Sequence, residues 1–367
     1  MKKLFLSFGT RPEAIKMAPL ILELKKNVEF EVVVCVTGQH KEMLSQVLEA
    51  FNIVPDYDLA IMKKNQDLFD ITSNILSGIK EILLQEKPDL VLVHGDTSTT
   101  FSVALAAFYL NIPVGHVEAG LRTYNIFEPF PEEFNRRVLS LISSINFCPT
   151  ETAKRHLLDE GVAESNIFVT GNTVIDALKT TISEDYKSDL LDWADGTRLL
   201  LLTVHRRENH GQPMKNIFSA VKRILQEFSN VKVVFPVHKN PKITELANQI
   251  FQGLSNVKLI EPLDVLDFHN LINCCYLIAS DSGGIQEEAP SLGKPVLVLR
   301  NTTERPEGVE AGTLKLIGTD EEAVYHEIKT LLLNNEEYTK MSHATNPYGD
   351  GNASKYISEI IETFFKG

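Results

Sequence analysis

The sequence predicts an α/β protein built from two doubly wound, Rossmann-like domains of parallel strands facing a central cleft. Three observations carry this reading. Short β-branched apolar runs alternate with helical patterns from end to end. The runs are apolar almost throughout, as strands covered on both faces must be. Helical stretches of roughly 10 to 20 residues separate them, long enough to carry the chain back for a parallel crossover. A length of 367 residues exceeds one typical core and fits two domains of ordinary size.

In chain order, the runs at 4–8, 31–36, 90–93 and 114–117 read as strands of the first domain, and those at 199–204, 231–237, 277–280 and 296–299 as strands of the second. The pattern gives way between Val169-Thr170-Gly171 and Arg198 to the polar stretch 183–195, so the boundary is placed at 172/173. The expected domains are 1–172 and 173–350, with helices after Asp320 closing the second. The tail at 351–367 is amphipathic enough to pack back on the first domain. In open sheets of this kind ligands bind beyond the carboxyl ends of strands, so functional side chains are sought in the loops that follow them.

Composition excludes several function classes. A net charge of −13, with no Lys/Arg block or basic amphipathic helix to offset it, argues against a nucleic-acid partner. After Met1-Lys2-Lys3 the apolar run ends at Ser7, too short for a signal sequence or a membrane span, and a cytoplasmic protein is expected. Cys35, Cys148, Cys274 and Cys275 lack metal-ligand spacing and read as buried free thiols. The histidines lack the i, i+4 or HxH spacing of a metal site, and the turn Gly9-Thr10-Arg11-Pro12 lacks the glycines of a dinucleotide fingerprint. Neither metal nor redox cofactor is expected.

Polar clusters follow strands at five places. In Asp281-Ser282-Gly283-Gly284-Ile285-Gln286-Glu287-Glu288 a strand breaks into a helix, aiming free amides and the positive helix end at one point that suits a phosphate. Ser282, Gly283 and Gly284 would form the cradle, and Glu288 would accept hydrogen bonds from a ribose. Arg11 and Lys16 after the first strand, and Arg305 in Thr302-Thr303-Glu304-Arg305-Pro306, add cations for the same anion. His205 closes a strand ahead of Arg206 and Arg207. It is placed to hold or protonate a phosphate leaving group, or is simply a satisfied strand-end histidine. His238 is a weaker candidate, and Phe268 is either core or a base-stacking face. Asp96, Glu118 and Glu132 come from separate loops, and converged in a desolvated cleft they can serve as acid and base. Simpler roles stand beside this one: Asp96 as a helix N-cap, Glu118 as the partner of Arg122, and Glu132 or Glu133 as first-turn residues complementing a helix dipole.

The assembled motifs resemble the non-hydrolysing UDP-N-acetylglucosamine 2-epimerases of bacteria over essentially the whole chain. The likeness runs through Phe8-Gly9-Thr10-Arg11-Pro12-Glu13, Val93-His94-Gly95-Asp96-Thr97, Gly115-His116-Val117-Glu118-Ala119-Gly120-Leu121-Arg122, Pro131-Glu132-Glu133, His205-Arg206-Arg207-Glu208-Asn209 and the block from Asp281 to Glu307. The resemblance implies a GT-B fold, a homodimer, and cytoplasmic interconversion of UDP-GlcNAc and UDP-ManNAc for surface polysaccharide, without metal or nicotinamide. It implies UDP binding by Arg11, His205, Ser282, Gly283, Gly284, Glu288 and Arg305, with Lys16 assisting and Phe268 near the uracil, and catalysis by Asp96, Glu118, Glu132 and His205. Several members bind a second UDP-GlcNAc as activator, at positions that correspond here to Gln39, Glu42, Asn65, Glu132, Arg206 and His238. The activator-dependent pattern has glutamine at 42 and arginine at 65. Glu42 and Asn65 add an anion and remove a cation beside a diphosphate, so activation by substrate is expected to be lost or altered.

Overall fold

The computed structural model describes residues 1–38, 41–63, 66–237 and 240–366. The chain divides into two compact units, Met1–Thr180 with Tyr348–Gly367, and Thr181–Pro347. Each is a doubly wound α/β unit, the fold class the alternating pattern predicts.

The first unit contains β1 (Lys2–Phe8), β2 (Phe30–Val36), β3 (Tyr57–Asp58), β4 (Leu90–His94), β5 (Val114–Val117), β6 (Ile145–Cys148) and β7 (Ile167–Val169). They form one sheet in the order β3-β2-β1-β4-β5-β6-β7. Every pair is parallel, with Leu4 facing Val32 on one side and Leu90 on the other. The winding direction reverses between β1 and β4, the position where α/β sheets open a ligand crevice at their carboxyl edge. Phe5, Val91 and Val93 pack against Ile75, Ile79 and Val103 from the covering helices. The terminal helix Ala353–Phe364 belongs to this unit and buries Ala353, Ile357 and Ile361, one stripe at helical spacing.

The second unit contains β8 (Arg198–Thr203), β9 (Val231–Pro236), β10 (Val257–Ile260), β11 (Leu277–Ser280), β12 (Val296–Val298) and β13 (Leu314–Leu316). Its order is β10-β9-β8-β11-β12-β13, all parallel, with the reversal between β8 and β11. The helix Gln212–Glu227 covers one face by burying Met214, Ile217, Phe218, Val221, Ile224 and Leu225, the i, i+3, i+4, i+7 pattern of a one-sided helix.

Among the described residues, five strands escape the sequence reading: β3, β6, β7, β10 and β13. All are short, and four carry a polar residue (Asp58, Asn146, Lys258 and Lys315). Four of the five lie at sheet edges, where one side faces solvent and no sustained apolar run is needed. Among the thiols, Cys35, Cys148 and Cys275 are buried and free as expected, but Cys274 is exposed. It is the last residue of the helix Val265–Cys274, and only its neighbour Cys275 turns into the core.

Candidate active site

In the first unit, the loops that follow β1, β4 and β5 leave the sheet beside its reversal point. Glu13 ties two of them together. Its carboxylate accepts hydrogen bonds from the amides of Gly9 (3.1 Å) and Thr10 (2.8 Å), and from the hydroxyls of Thr97 (2.7 Å) and Thr100 (3.0 Å). Arg11 opens the helix Arg11–Leu24 directly after this brace, and Lys16 lies one and a half turns along it. The Lys16 ammonium pairs with Glu118.

Glu118 is constrained both in its backbone and in its side chain. Its backbone is left-handed, with φ 63°, a strained conformation for a side chain larger than glycine. Its carboxylate also accepts from Asn172 Nδ2 (2.9 Å) and lies 3.8 Å from His94 Nε2. Two residues on, Gly120 has φ 88°, and a Cβ there would strike the carbonyl of Ala153. Only glycine lets the chain turn away from Glu118 at this point. Arg122, a rival partner for Glu118 on sequence grounds, instead forms a bidentate pair with Glu160 at 2.8 and 2.7 Å.

Asp96 does not cap the helix Ser98–Tyr109. Thr97 does, accepting from the Thr100 amide. The Asp96 side chain points to Arg136, 2.7 Å away, and its main-chain carbonyl is held by Asn135 Nδ2 at 2.8 Å. Burial raises its carboxyl to about 6; Arg136 opposes the shift, the charges of Glu118 and Glu132 add to it, and Lys16 works against it. With 24 % of its surface still accessible, the side chain combines a displaced pKa with an opening through which a ligand can reach it. Glu132 starts the helix Glu132–Ile142 and is half-buried. Its neighbour Glu133 is fully buried and accepts from the amides of Thr123 and Tyr124, both at 3.0 Å, a loop-bracing role.

Beneath this group, His116 on β5 lies 2.7 Å from the Gly95 carbonyl through Nε2. Burial pushes the ring down to about 3, with the bond to Gly95 opposing, so it is neutral and donates Nε2–H to that carbonyl. It thereby fixes the residue before Asp96.

In the second unit the loops after β8 and β11 flank the reversal point. The helix Gly283–Glu288 begins after Ser282, and a Cβ on Gly283 would lie 3.7 Å from an Arg206 nitrogen and 4.0 Å from an Arg305 nitrogen. Two guanidinium groups thus stand over the helix start, where an anion also meets unpaired amides. Carboxylates hold them in place: Arg305 bonds Glu287 (2.5 Å), and Arg206 lies 3.7 Å from Glu304. Burial works against ionisation of Glu304, but Arg206, Arg300 and Arg305 overcome it and keep its carboxyl below the usual range. His205 sits at the same edge, its Nδ1 3.0 Å from Asp281.

A cavity of about 170 Å³ is lined by His205, Pro236, Pro262, Phe268, Ser282 and Ile285. Phe268 packs on the core and also lines this cavity. Such an apolar slot beside an anion site has the character a pyrimidine nucleotide needs. Glu288, on the same helix, lies against Gly284 and 3.8 Å from His269 Nε2, while His269 Nδ1 contacts the Thr181 hydroxyl at 2.7 Å.

The structure therefore gathers Lys16, Asp96, Glu118 and Glu132 in the first unit and His205, Arg206, Phe268, Ser282, Gly283, Glu288 and Arg305 in the second. Gln39, Asn65 and His238 lie outside the described residues, as does the side chain of Glu42. Sequence reading gave no role to Arg136, Asn172, His116 or Asp281. His116 and Asp281 lie inside recognised motifs and Arg136 lies three residues beyond Pro131-Glu132-Glu133, whereas nothing marks Asn172. No group of metal-ligating side chains occurs among the described residues, and none of their helices is long and apolar enough to cross a membrane.

The family described as UDP-N-acetylglucosamine 2-epimerase matches residues 22–362. A Bacillus subtilis UDP-N-acetylglucosamine 2-epimerase is 59 % identical over 98 % of this chain and 96 % of its own. A 2.2 Å crystal structure of a Listeria monocytogenes protein, assigned the same enzyme name, superposes with TM-score 0.95 at 53 % identity, covering 100 % of this chain and 97 % of that one. The Neisseria meningitidis UDP-GlcNAc 2-epimerase bound to UDP-GlcNAc superposes with TM-score 0.89 at 50 % identity, covering both chains fully. A match of this identity over the full length, on the same GT-B-like pair of α/β units, makes the chain an enzyme of the UDP-N-acetylglucosamine 2-epimerase family.

Proposed function

We propose that the chain interconverts UDP-GlcNAc and UDP-ManNAc without hydrolysis, by elimination of UDP to 2-acetamidoglucal and re-addition. The C2 hydrogen of the sugar is not adjacent to a carbonyl and is too weakly acidic to leave by itself. Its removal becomes feasible as the C1–O bond breaks. A carboxylate takes the C2 proton, the C1–O electron pair goes to the diphosphate oxygen, and a C1=C2 double bond forms. In reverse, the diphosphate oxygen adds to C1 while a proton is delivered to C2 on the other face. Nearby carboxylates stabilise the oxocarbenium character at C1.

The observation that best supports this reading is the Asp96 carboxyl near 6 beside Glu118 and Glu132. One site thus gathers several carboxyl groups, with Asp96 displaced toward neutrality, for the two proton transfers that inversion at C2 requires. Glu118 and Glu132 or Asp96 serve as the proton carriers. Arg11, Lys16, Ser282, Gly283, Gly284 and Arg305 hold the diphosphate, Glu288 the ribose and Phe268 the uracil, with His205 at the leaving group. The enzyme acts as a homodimer in the cytoplasm and supplies ManNAc units for cell-surface polysaccharide.

Proton NMR of the protein with UDP-GlcNAc alone in deuterated water tests the proposal. UDP-ManNAc carrying deuterium at C2, with deuterium also entering UDP-GlcNAc, is the expected result. Free ManNAc with UDP would replace it with hydrolysis, and a fully protonated, unchanged substrate would refute both.

A further inference from the structure

We propose that Asp281 is a positioning residue for the reaction, which fixes the tautomer and charge of His205 and through it controls departure of the diphosphate. This rests on the functional reading above. Asp281 is fully buried directly after β11, and its two carboxylate oxygens have different surroundings. Oδ2 accepts from the amides of His205 (2.9 Å) and Arg206 (2.8 Å) and from Asn209 Nδ2 (2.9 Å). Oδ1 lies 3.0 Å from His205 Nδ1 and 3.2 Å from the His205 amide. Burial alone would favour a protonated Asp281. The His205 ring, the Arg206 amide and Asn209 outweigh it and hold the carboxyl below its ordinary range.

An ionised carboxylate can only accept, so His205 must carry a proton on Nδ1. The ring is anchored by its main-chain amide and by its side chain to one carboxylate, which turns Nε2 away from Asp281. When the diphosphate approaches Nε2, a second proton there gives an imidazolium bonded to an anion on each side. As the C1–O bond breaks, its electron pair stays on the diphosphate oxygen, and the Nε2 proton is shared with or passed to that oxygen. The ring is then left neutral, with Nδ1–H still on Asp281. Arg206 of the same loop, 3.7 Å from Glu304, carries a fixed charge and cannot take this role. The sequence pattern placed Asp281 only at the start of the polar loop after a strand; its partner lies 76 positions away.

Asp281→Asn tests the assignment because the site dictates how the amide must sit. Three donors converge on the Oδ2 position, so the Asn oxygen takes that place and its NH₂ faces His205 Nδ1. The ring must then accept at Nδ1, keep its proton on Nε2, and lose access to the imidazolium. With histidine-labelled protein, ¹⁵N–¹H NMR of the ligand-free enzyme, assigned with His205→Asn, is expected to show the neutral wild-type ring protonated on Nδ1 and the variant on Nε2. Kinetically, Asp281→Asn is expected to lower kcat by about 10²–10⁴-fold with little change in KM, and to cause no further loss when His205 is already Asn. A wild-type ring protonated on Nε2 overturns the proposal without any variant of Asp281 needing to fold, and so does an equal kcat loss in the His205→Asn background. The spectra require no turnover. A wild-type protein that fails to epimerise would therefore strike the functional reading, and a wrong tautomer the role of Asp281.

Discussion

Replacing Asp96 by asparagine separates what this carboxyl does for catalysis from what it does to the fold. Its carboxyl stands at about 6 in the folded chain against 3.8 unperturbed, a difference equivalent to about 3 kcal/mol. Because the folded value is raised, the contribution to stability is complete below 3.8 and is lost as pH rises through 6. Above that, the native state holds an ionised Asp96 at a cost the unfolded chain avoids. Asparagine never ionises, so relative to wild type it should gain ~3 kcal/mol at pH 8, roughly half of that at pH 5, and nothing in strong acid. The offset common to all pH values reflects Arg136, which loses its 2.7 Å partner but keeps Glu133 at 3.5 Å. Only the change with pH is therefore diagnostic. Urea unfolding followed by circular dichroism at pH 5 and pH 8 measures it. The same variant should lose about 10²–10⁴-fold in kcat. A stability difference that is constant between the two pH values, or that favours wild type more at pH 8, would show Asp96 to be an ordinary ionised partner of Arg136 and refute the argument.

Further outcomes follow from the same geometry. Glu118→Gln removes the charge that Lys16 opposes and should abolish C2 deuterium exchange by at least about 10²-fold, while UDP binding, read by calorimetry, stays within a few fold; weakened UDP binding of the same size as the exchange loss would contradict it. Phe268→Ala widens the apolar cavity and should raise KM about tenfold with kcat nearly unchanged, and an unaltered KM would leave Phe268 a core residue. Gly120→Ala forces a Cβ against Ala153 at φ 88° and should destabilise the protein by about 3 kcal/mol or more, seen as a markedly lower Tm. With Glu42 and Asn65 in place of glutamine and arginine, initial rate against UDP-GlcNAc should be hyperbolic, and a clear sigmoid would overturn the inference of lost activation.

The sequence by itself determined the class of fold and the addresses of the polar loops. Parallel strands buried on both faces need uninterrupted apolar runs, and strand ends that carry Gly9-Thr10-Arg11, His94-Gly95-Asp96 or Ser282-Gly283-Gly284 announce themselves against that background. Short edge strands such as β10 and β13 stayed hidden because half-solvated segments tolerate lysine. Only the tertiary structure decided which charge meets which. Arg122 lies four residues from Glu118 yet pairs with Glu160, while Glu118 takes Lys16, 102 positions away. Thr97 rather than Asp96 caps its helix, and the His205 ring meets Asp281, 76 positions away. Ion pairing and pKa depend on distances of a few ångströms and on solvent excluded by packing. Both arise when distant segments close on one another, so composition and spacing name the groups at a site while the fold selects their partners.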